Sequence, residues 1–242
     1  MTTLEAPVHS EFRLGDLTCI PDPSGALWIQ SEQLLVVADL HFEKGSAFAR
    51  RGSLLPPYDS RETLARLAKL TARLKPKTIL ALGDTWHDGG GHGRMDRDDS
   101  EAFAQLRQGV DWIFIAGNHD PEPPRDLGAM VAQEFTLKGV TFRHEPDASA
   151  NTPEIAGHLH PAAKVAGRGR PVRRKCFISS EARCILPAFG SYAGGLNVLD
   201  RAFDPLFARH GFTAHLIGAD RVYAIGPASL VPDGLRLAKK RG

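Results

Sequence analysis

The sequence is poor in cysteine. Three occur among 242 residues, Cys19, Cys176 and Cys184, and none share a CxxC spacing. An odd, scattered set excludes a disulfide framework and a thiolate cluster. It fits a reducing compartment, with the three as small buried apolar residues. Long apolar runs are also missing, and no uninterrupted stretch approaches the ~20 residues of a membrane span. Met1–Ser10 lacks the basic-then-apolar order of a secretory signal. The expected location is the cytoplasm, with no membrane partner. Charge of one sign is scarce too: the formal net charge is +2. That does not announce nucleic-acid binding, so a basic surface has to be a local patch. No tandem repeat or low-complexity linker divides the chain. With 42% hydrophobic and 24% charged residues, it reads as one globular domain over residues 1–242.

What is there is an alternation of apolar runs and helical periodicity. Residues 12–37 carry three short strand signals, "LTCI", "ALWI" and "LLVV", around a turn at Pro21–Gly25. Leu64, Leu67, Leu70 and Leu74 then recur at helical steps, with Asp59 and Glu62 as an N-terminal cap and Pro76 as the stop. "TILAL" (78–82) is the next strand. "SEAFAQLRQ" reads as a helix capped by Ser100 and closed by Gly109, and "DWIFIA" (111–116) is a further strand. Strands alternating with helices indicate an α/β fold. The second half is mainly β: "TFRH", "EIAGHLH", "KCFIS", "CILPAF" and "RVYAIG" are short runs between Gly/Pro turns. Two sheets packed face to face with helices outside are expected.

The apolar runs end in a particular chemistry. "VVADLHFEKG" closes on Asp39 and His41. Alternation along an extended chain predicts that residues two apart point into one space. "TILAL" is followed by Gly83-Asp84, and "DWIFIA" by Gly117-Asn118-His119. "TFR" is followed by His144, and "EIA" by Gly157-His158-Leu159-His160. The carboxyl ends of strands are where ligands collect in open α/β sheets. Asp39, His41, Asp84, Asn118, His144, His158 and His160 offer oxygen and nitrogen only. That set suits Mn, Fe or Zn, with Mn or Fe favoured. Seven ligands are too many for one catalytic ion with open positions. They suit two ions sharing a carboxylate, ~3.5–4 Å apart, as in metal-assisted phosphoryl transfer.

This ordered run resembles the calcineurin-like metallophosphoesterases, whose D-x-H, G-D, G-N-H, H and G-H-x-H elements it reproduces at Asp39-Leu40-His41, Gly83-Asp84, Gly117-Asn118-His119, His144 and Gly157-His158-Leu159-His160. The resemblance implies a four-layer αββα sandwich, two facing mixed sheets flanked by helices. It implies one divalent ion on Asp39, His41 and His160, a second on Asn118, His144 and His158, and Asp84 as the bridge. His119, left without a ligand duty, becomes the general acid. "ADLHFEKGSAFARRGSLLPPYDSRETLARL", "GNHDP", "GHLHPAAKVAGRGRPVRRKCF" and "LPAFGSYAGGLNV" are similar to the bacterial PdeM subgroup, endonucleases of a ligase-associated DNA damage response. That likeness implies a manganese-dependent endonuclease in DNA repair. Its partners would be DNA and, in the same pathway, a DNA ligase, a helicase and an exonuclease. One departure stands out. Relatives often read G-D-x-x-D, with the second Asp orienting the catalytic His, and here His87 holds that position. Asp88, Asp120 or His87 is left to orient His119.

Other candidates carry two readings each. His87 and His92, beside "GGGHG", are either loop residues or substrate contacts. The glycines lack the Lys-Ser/Thr of a P-loop, so they read as a loop beside the site. Arg50 and Arg51 follow the first motif and are either solvated or a phosphate clamp. "RGRPVRRK" (168–175), with Arg173 and Arg174, is either a solvated hairpin tip or a contact to nucleic-acid phosphates. His9, His210 and His215 read as surface or packing residues, and "KKRG" as a solvated end. Rival functions are a nucleotide-lipid pyrophosphatase, a cyclic-nucleotide phosphodiesterase and a non-catalytic scaffold. The first calls for an apolar lid, which no amphipathic insertion supplies. The last calls for broken ligands, and all are intact.

Overall fold

A computed structural model of the chain describes residues 11–53, 55–166, 171–207 and 211–234. The first ten residues with His9, His210, Arg168 and Arg170 of the basic run, and the terminal "KKRG" lie outside the described residues. No described helix is long and apolar enough to cross a membrane.

Two mixed sheets face each other. The first follows chain order: β1 (Phe12–Leu14), β2 (Leu17–Pro21), β3 (Leu27–Ile29), β4 (Leu34–Val37), β5 (Thr78–Leu82), β6 (Asp111–Ile115) and β7 (Met130–Ala132). β1 to β4 pair antiparallel, and β4 to β7 parallel. Parallel neighbours require crossovers. Helices α1 (Lys44–Arg50) and α2 (Asp59–Leu74) lie between β4 and β5, and α3 (Arg97–Leu106) between β5 and β6.

The second sheet is built from β8 (Glu134–Leu137), β9 (Val140–Arg143), β10 (Glu154–Ala156), β11 (Pro161–Val165), β12 (Val172–Ser179), β13 (Arg183–Ile185) and β14 (Leu196–Asn197). Its order is β14-β11-β12-β13-β10-β9-β8. β15 (Thr213–Ile217) also pairs with β12, and β16 (Val222–Ile225) with β15.

The continuous apolar runs of β4, β5 and β6 follow from burial on both faces. Val36, Leu80, Leu82, Ile113 and Ile115 point between the sheets, against Phe142, Ile155 and Phe177. Their alternates Leu35, Val37, Ile79, Ala81 and Phe114 meet Leu64, Leu67 and Leu70 of α2 and Phe103 of α3. The outer face of the second sheet is covered by short 3-10 turns, Arg201–Phe203 and Pro227–Ser229, with Phe203, Phe207 and Leu230 packed on Ile178 and Leu216. This thin layer completes the sandwich.

Several local expectations are corrected. Asp59 does not cap α2: Tyr58 holds that position, and the Asp59 carboxylate accepts from the Gly45 amide at 3.1 Å, joining α1 to α2. Asp96, not Ser100, caps α3, accepting from the Asp99 amide at 2.8 Å. That helix closes at Arg107, ahead of Gly109. Helix α1 and strands β1, β7, β8, β11, β14 and β15 add to the elements expected. Arg173, Arg174 and Lys175 sit within β12, paired with β11, and not on a hairpin tip.

Candidate metal centre

The motif residues follow the carboxyl ends of β4, β5, β6, β9 and β10 as expected. The backbone that aims them is not extended. Asp39 (φ 54°), His41 (45°), Asp84 (47°), His158 (69°) and His160 (46°) all adopt left-handed conformations. The alternation expected for Asp39 and His41 is therefore replaced by two successive left-handed kinks. Such conformations cost of order 1–3 kcal/mol each and persist where surroundings over-determine them. Here they do. The His41 and Phe42 amides donate to the Asp84 and Thr85 carbonyls, both at 2.9 Å. The Phe189 and Gly190 amides donate to the carbonyls of Ala38 and Asp39, at 2.8 and 3.0 Å. The His158 amide donates to the Asp39 carboxylate, 3.0 Å to Oδ2. Gly117 lets two strand ends touch: a Cβ there would fall on the backbone nitrogen and Oδ1 of Asp84.

These kinks bring all seven expected ligands together in two clusters. In one, His160 Nε2 lies 3.3 Å from Asp39 Oδ1 and 3.4 Å from His41 Nε2. In the other, Asn118 Oδ1 lies 2.8 Å from His144 Nε2 and 3.0 Å from His158 Nδ1, and the two ring nitrogens are 3.1 Å apart. Asp84 reaches both, with Oδ2 3.8 Å from His41 Nε2 and Oδ1 3.5 Å from His144 Nε2. These separations fit neighbouring ligands around an ion. Bonds of ~2.0–2.2 Å place neighbours roughly 3.0 Å apart in an octahedron and 3.4 Å in a tetrahedron.

A second observation agrees. His144 donates Nδ1–H to the Leu82 carbonyl at 2.9 Å, which selects the tautomer whose lone pair is at Nε2. That lone pair faces Asn118 Oδ1 at 2.8 Å, acceptor against acceptor. A cation between them turns repulsion into coordination, and the bond to Leu82 is the outer support that orients a ligating His. The two His/Asp clusters are thus consistent with a binuclear metal site.

Electrostatics point the same way. Burial pushes His41 down to about 3, keeping its imidazole neutral and ligand-ready. Burial also lowers His158. Burial alone would raise the Asp39 carboxyl, but His160, His144 and His41 together hold it below its ordinary value. Asp84 is raised by burial, which the His144 imidazole only partly offsets.

His119 stands at the open side, its side chain 40% exposed and Nε2 4.0 Å from Asp84 Oδ2. Its amide donates to Asp84 Oδ1 at 2.9 Å. Its orienting partner is the His87 backbone carbonyl, which accepts from Nδ1 at 2.9 Å. Asp88 is taken by Arg94, at 2.7 and 2.9 Å. Asp120 is buried, accepts from the Trp86 amide at 3.1 Å, and is pushed by burial up to about 7. The His87 ring also belongs to the site. It stacks on His119 at 5.0 Å, and its Nδ1 lies 3.4 Å from His41 Nδ1.

The outlying candidates separate. His92 packs edge-on against Trp86 at 5.4 Å and is a packing residue. His215 is buried and bonded to Ser179 Oγ at 2.7 Å. Arg50 and Arg51 are exposed at the end of α1, and Arg51 is near enough to help depress the His87 imidazole. Arg173 is turned away into an ion pair with Asp233 at 3.0 Å, while Arg174 is exposed. Sequence reasoning missed Lys44 and Phe48, which flank His87 with Phe48 5.7 Å from its ring. Their signal was the four-residue step along α1. The three cysteines are free and buried.

A sequence profile described as calcineurin-like phosphoesterase matches residues 33–172, which include all seven ligands and His119. Among solved structures, the crystal structure of Pseudomonas putida nuclease MPE is similar, with a TM-score of 0.70 and 25% identity, covering 90% of this chain and 100% of that one. No curated protein sequence matches.

Proposed function

The chain belongs to the calcineurin-like phosphoesterase family, and from that premise we propose that it is a manganese-dependent DNA endonuclease of the PdeM type, acting in repair beside a DNA ligase, a helicase and an exonuclease in the cytoplasm. At the coarser level it is a metal-dependent phosphoesterase with a nuclease-like fold. Three things support the finer reading: the subgroup-like wording around each motif, the similarity to a bacterial nuclease, and the N/O ligand set, which suits Mn and poorly suits Mg.

The observation that carries the reading is Asp84 standing between the two clusters, with His119 Nε2 beside it on the exposed side. Asp39, His41 and His160 would hold one ion, Asn118, His144 and His158 the other, and Asp84 both. The pair, when bound, supplies Lewis-acid charge to the phosphoryl oxygens and a water activated at neutral pH. This chain's residues do the rest. The His87 carbonyl fixes the Nδ1 proton of His119, so the ring takes up and releases its second proton at Nε2. That proton goes to the departing sugar oxygen, which is otherwise a poor leaving group. The His144–Leu82 bond keeps Nε2 of His144 turned inward.

The test is a panel of single-stranded DNA, plasmid DNA, cyclic nucleotides and a sugar-nucleotide lipid, each with Mn, Mg and Zn. Cleavage of single strands and nicking of plasmid, best with Mn, is expected. Turnover confined to cyclic nucleotides or the lipid would replace the DNA reading.

A further inference from the structure

The Phe189 and Gly190 amides brace Ala38 and Asp39, and Ala188 and Phe189 of the same segment wall a cavity of about 460 Å³. Arg66, Arg174 and Lys175 line that cavity, and no carboxylate does. Among the described residues, none of the three joins an ion pair, whereas neighbouring Arg173 does. Lys175 uses two of its three N–H groups on the carbonyls of Ala188 (2.7 Å) and Gly190 (3.0 Å). Arg66 lies over the Phe189 ring, 4.4 Å from its centroid, and donates to the Phe189 carbonyl. Carbonyl dipoles orient these cations without cancelling their charge.

Three like charges share this cleft, two of them half-buried, and Glu62 near Arg66 and Asp39 near Lys175 offset their repulsion only in part. Burial, and then the Arg66 guanidinium, push Lys175 down to about 8 against the pull of Asp39. Burial lowers Arg66 as well. An anion in the cavity relieves this. It would meet the Arg174 fork, the remaining Lys175 proton and the positive field of Arg66. The chemistry is that of phosphate, which arginine forks match and carbonyl-held lysines neutralise. We propose that this cavity is a second phosphate subsite, holding a backbone phosphate of the strand whose scissile diester lies at the metal centre. The proposal rests on the nuclease reading and adds to it a binding site flanking the ions, which explains why β12 carries Arg174 and Lys175.

The experiment uses metal-loaded enzyme and a single-stranded oligonucleotide. Log kcat/KM is plotted against log salt for the parent, Arg174→Ala, Arg66→Gln and, as a distant control, Arg97→Ala. Each lost phosphate contact flattens the slope by ~0.7 on single strands. That flattening is expected in the first two variants and not in the control. Arg174 is exposed on its strand, so its variant keeps the test alive should Arg66→Gln fold poorly. Slopes equal to the parent's in both variants overturn the strand assignment. A parallel thermal titration with inorganic phosphate separates the sources. If phosphate stabilises the parent more than the variants while slopes stay equal, the cavity takes free phosphate instead. If neither differs, there is no phosphate site. A parent that hydrolyses a nitrophenyl diester but no DNA overturns the nuclease reading itself.

Discussion

His119 donates its Nδ1–H to the backbone carbonyl of His87, 2.9 Å away. A carbonyl only accepts, so this bond settles the tautomer and leaves Nε2 as the exchanging nitrogen. The family's common G-D-x-x-D pattern implies a carboxylate side chain for this duty. Here the main chain does it, and the His87 ring is left to stack on His119.

The first prediction is a split between leaving groups. His119→Ala should retain both metals and lose ~10²–10⁴-fold in kcat/KM on DNA, the usual contribution of a general acid. A nitrophenolate departs without a proton, so a nitrophenyl diester should be cleaved nearly as before. The measurement is the ratio of mutant to parent kcat/KM on the two substrates under saturating Mn. Equal losses would reassign His119 to steadying the phosphoryl oxygens.

Asp84 supports a second prediction. Its two carboxylate oxygens reach one cluster each. Asp84→Ala should abolish turnover and lower metal content at both positions, whereas Asn118→Ala and His158→Ala should each empty one. Elemental analysis of the purified variants decides this. Full occupancy in Asp84→Ala removes the bridge.

The sequence made the site legible because its strands are buried on both faces. Val36-Val37, Leu80-Ala81-Leu82 and Ile113-Phe114-Ile115 have to be apolar throughout, so the polar residue that ends each run is conspicuous. Backbone conformation left no such trace. The kinks at Asp39 and His41 use ordinary residues with positive φ, and extended geometry was the natural but wrong expectation. The partner of His119 is a carbonyl, which every residue possesses. Asp96, Asp98, Asp99 and Ser100 in "MDRDDS" are all capping residue types, and composition does not select Asp96 over Ser100. The basic run looked uniform. Only the side-chain contacts show that Arg173 pairs with Asp233 while Lys175 donates to the carbonyls of Ala188 and Gly190.

Gly117 supports a third prediction. The space for a Cβ is already filled by Asp84. Gly117→Ala should therefore cost ~1–3 kcal/mol of stability, as overpacking does, and should also lower metal content by moving Asp84. Gly93→Ala is the control, since nothing lies within 4 Å of a Cβ there. Thermal unfolding and elemental analysis of the pair check this. A Gly117→Ala protein with parental melting and metal content would mean that the strand ends are not packed as described.

The last prediction concerns acid. His215 is 3% exposed, lies tilted against the Phe12 ring with centroids 5.0 Å apart, and bonds Ser179 Oγ at 2.7 Å. Burial pushes its imidazole from 6.5 down to about 4. Between those two values the unfolded chain binds a proton that the folded chain refuses. Stability is therefore full above about pH 6.5 and falls as pH drops through that window. A gap of this size corresponds to on the order of 3 kcal/mol. His215→Asn keeps a polar group opposite Ser179 and removes the titration. Urea unfolding of metal-free parent and variant at pH 7 and pH 4.5 isolates this effect, because ligand histidines titrate alike in both. The parent should lose more stability than the variant between the two pH values. Equal losses would mean that His215 keeps its ordinary proton affinity in the folded chain, and that acid sensitivity arises elsewhere.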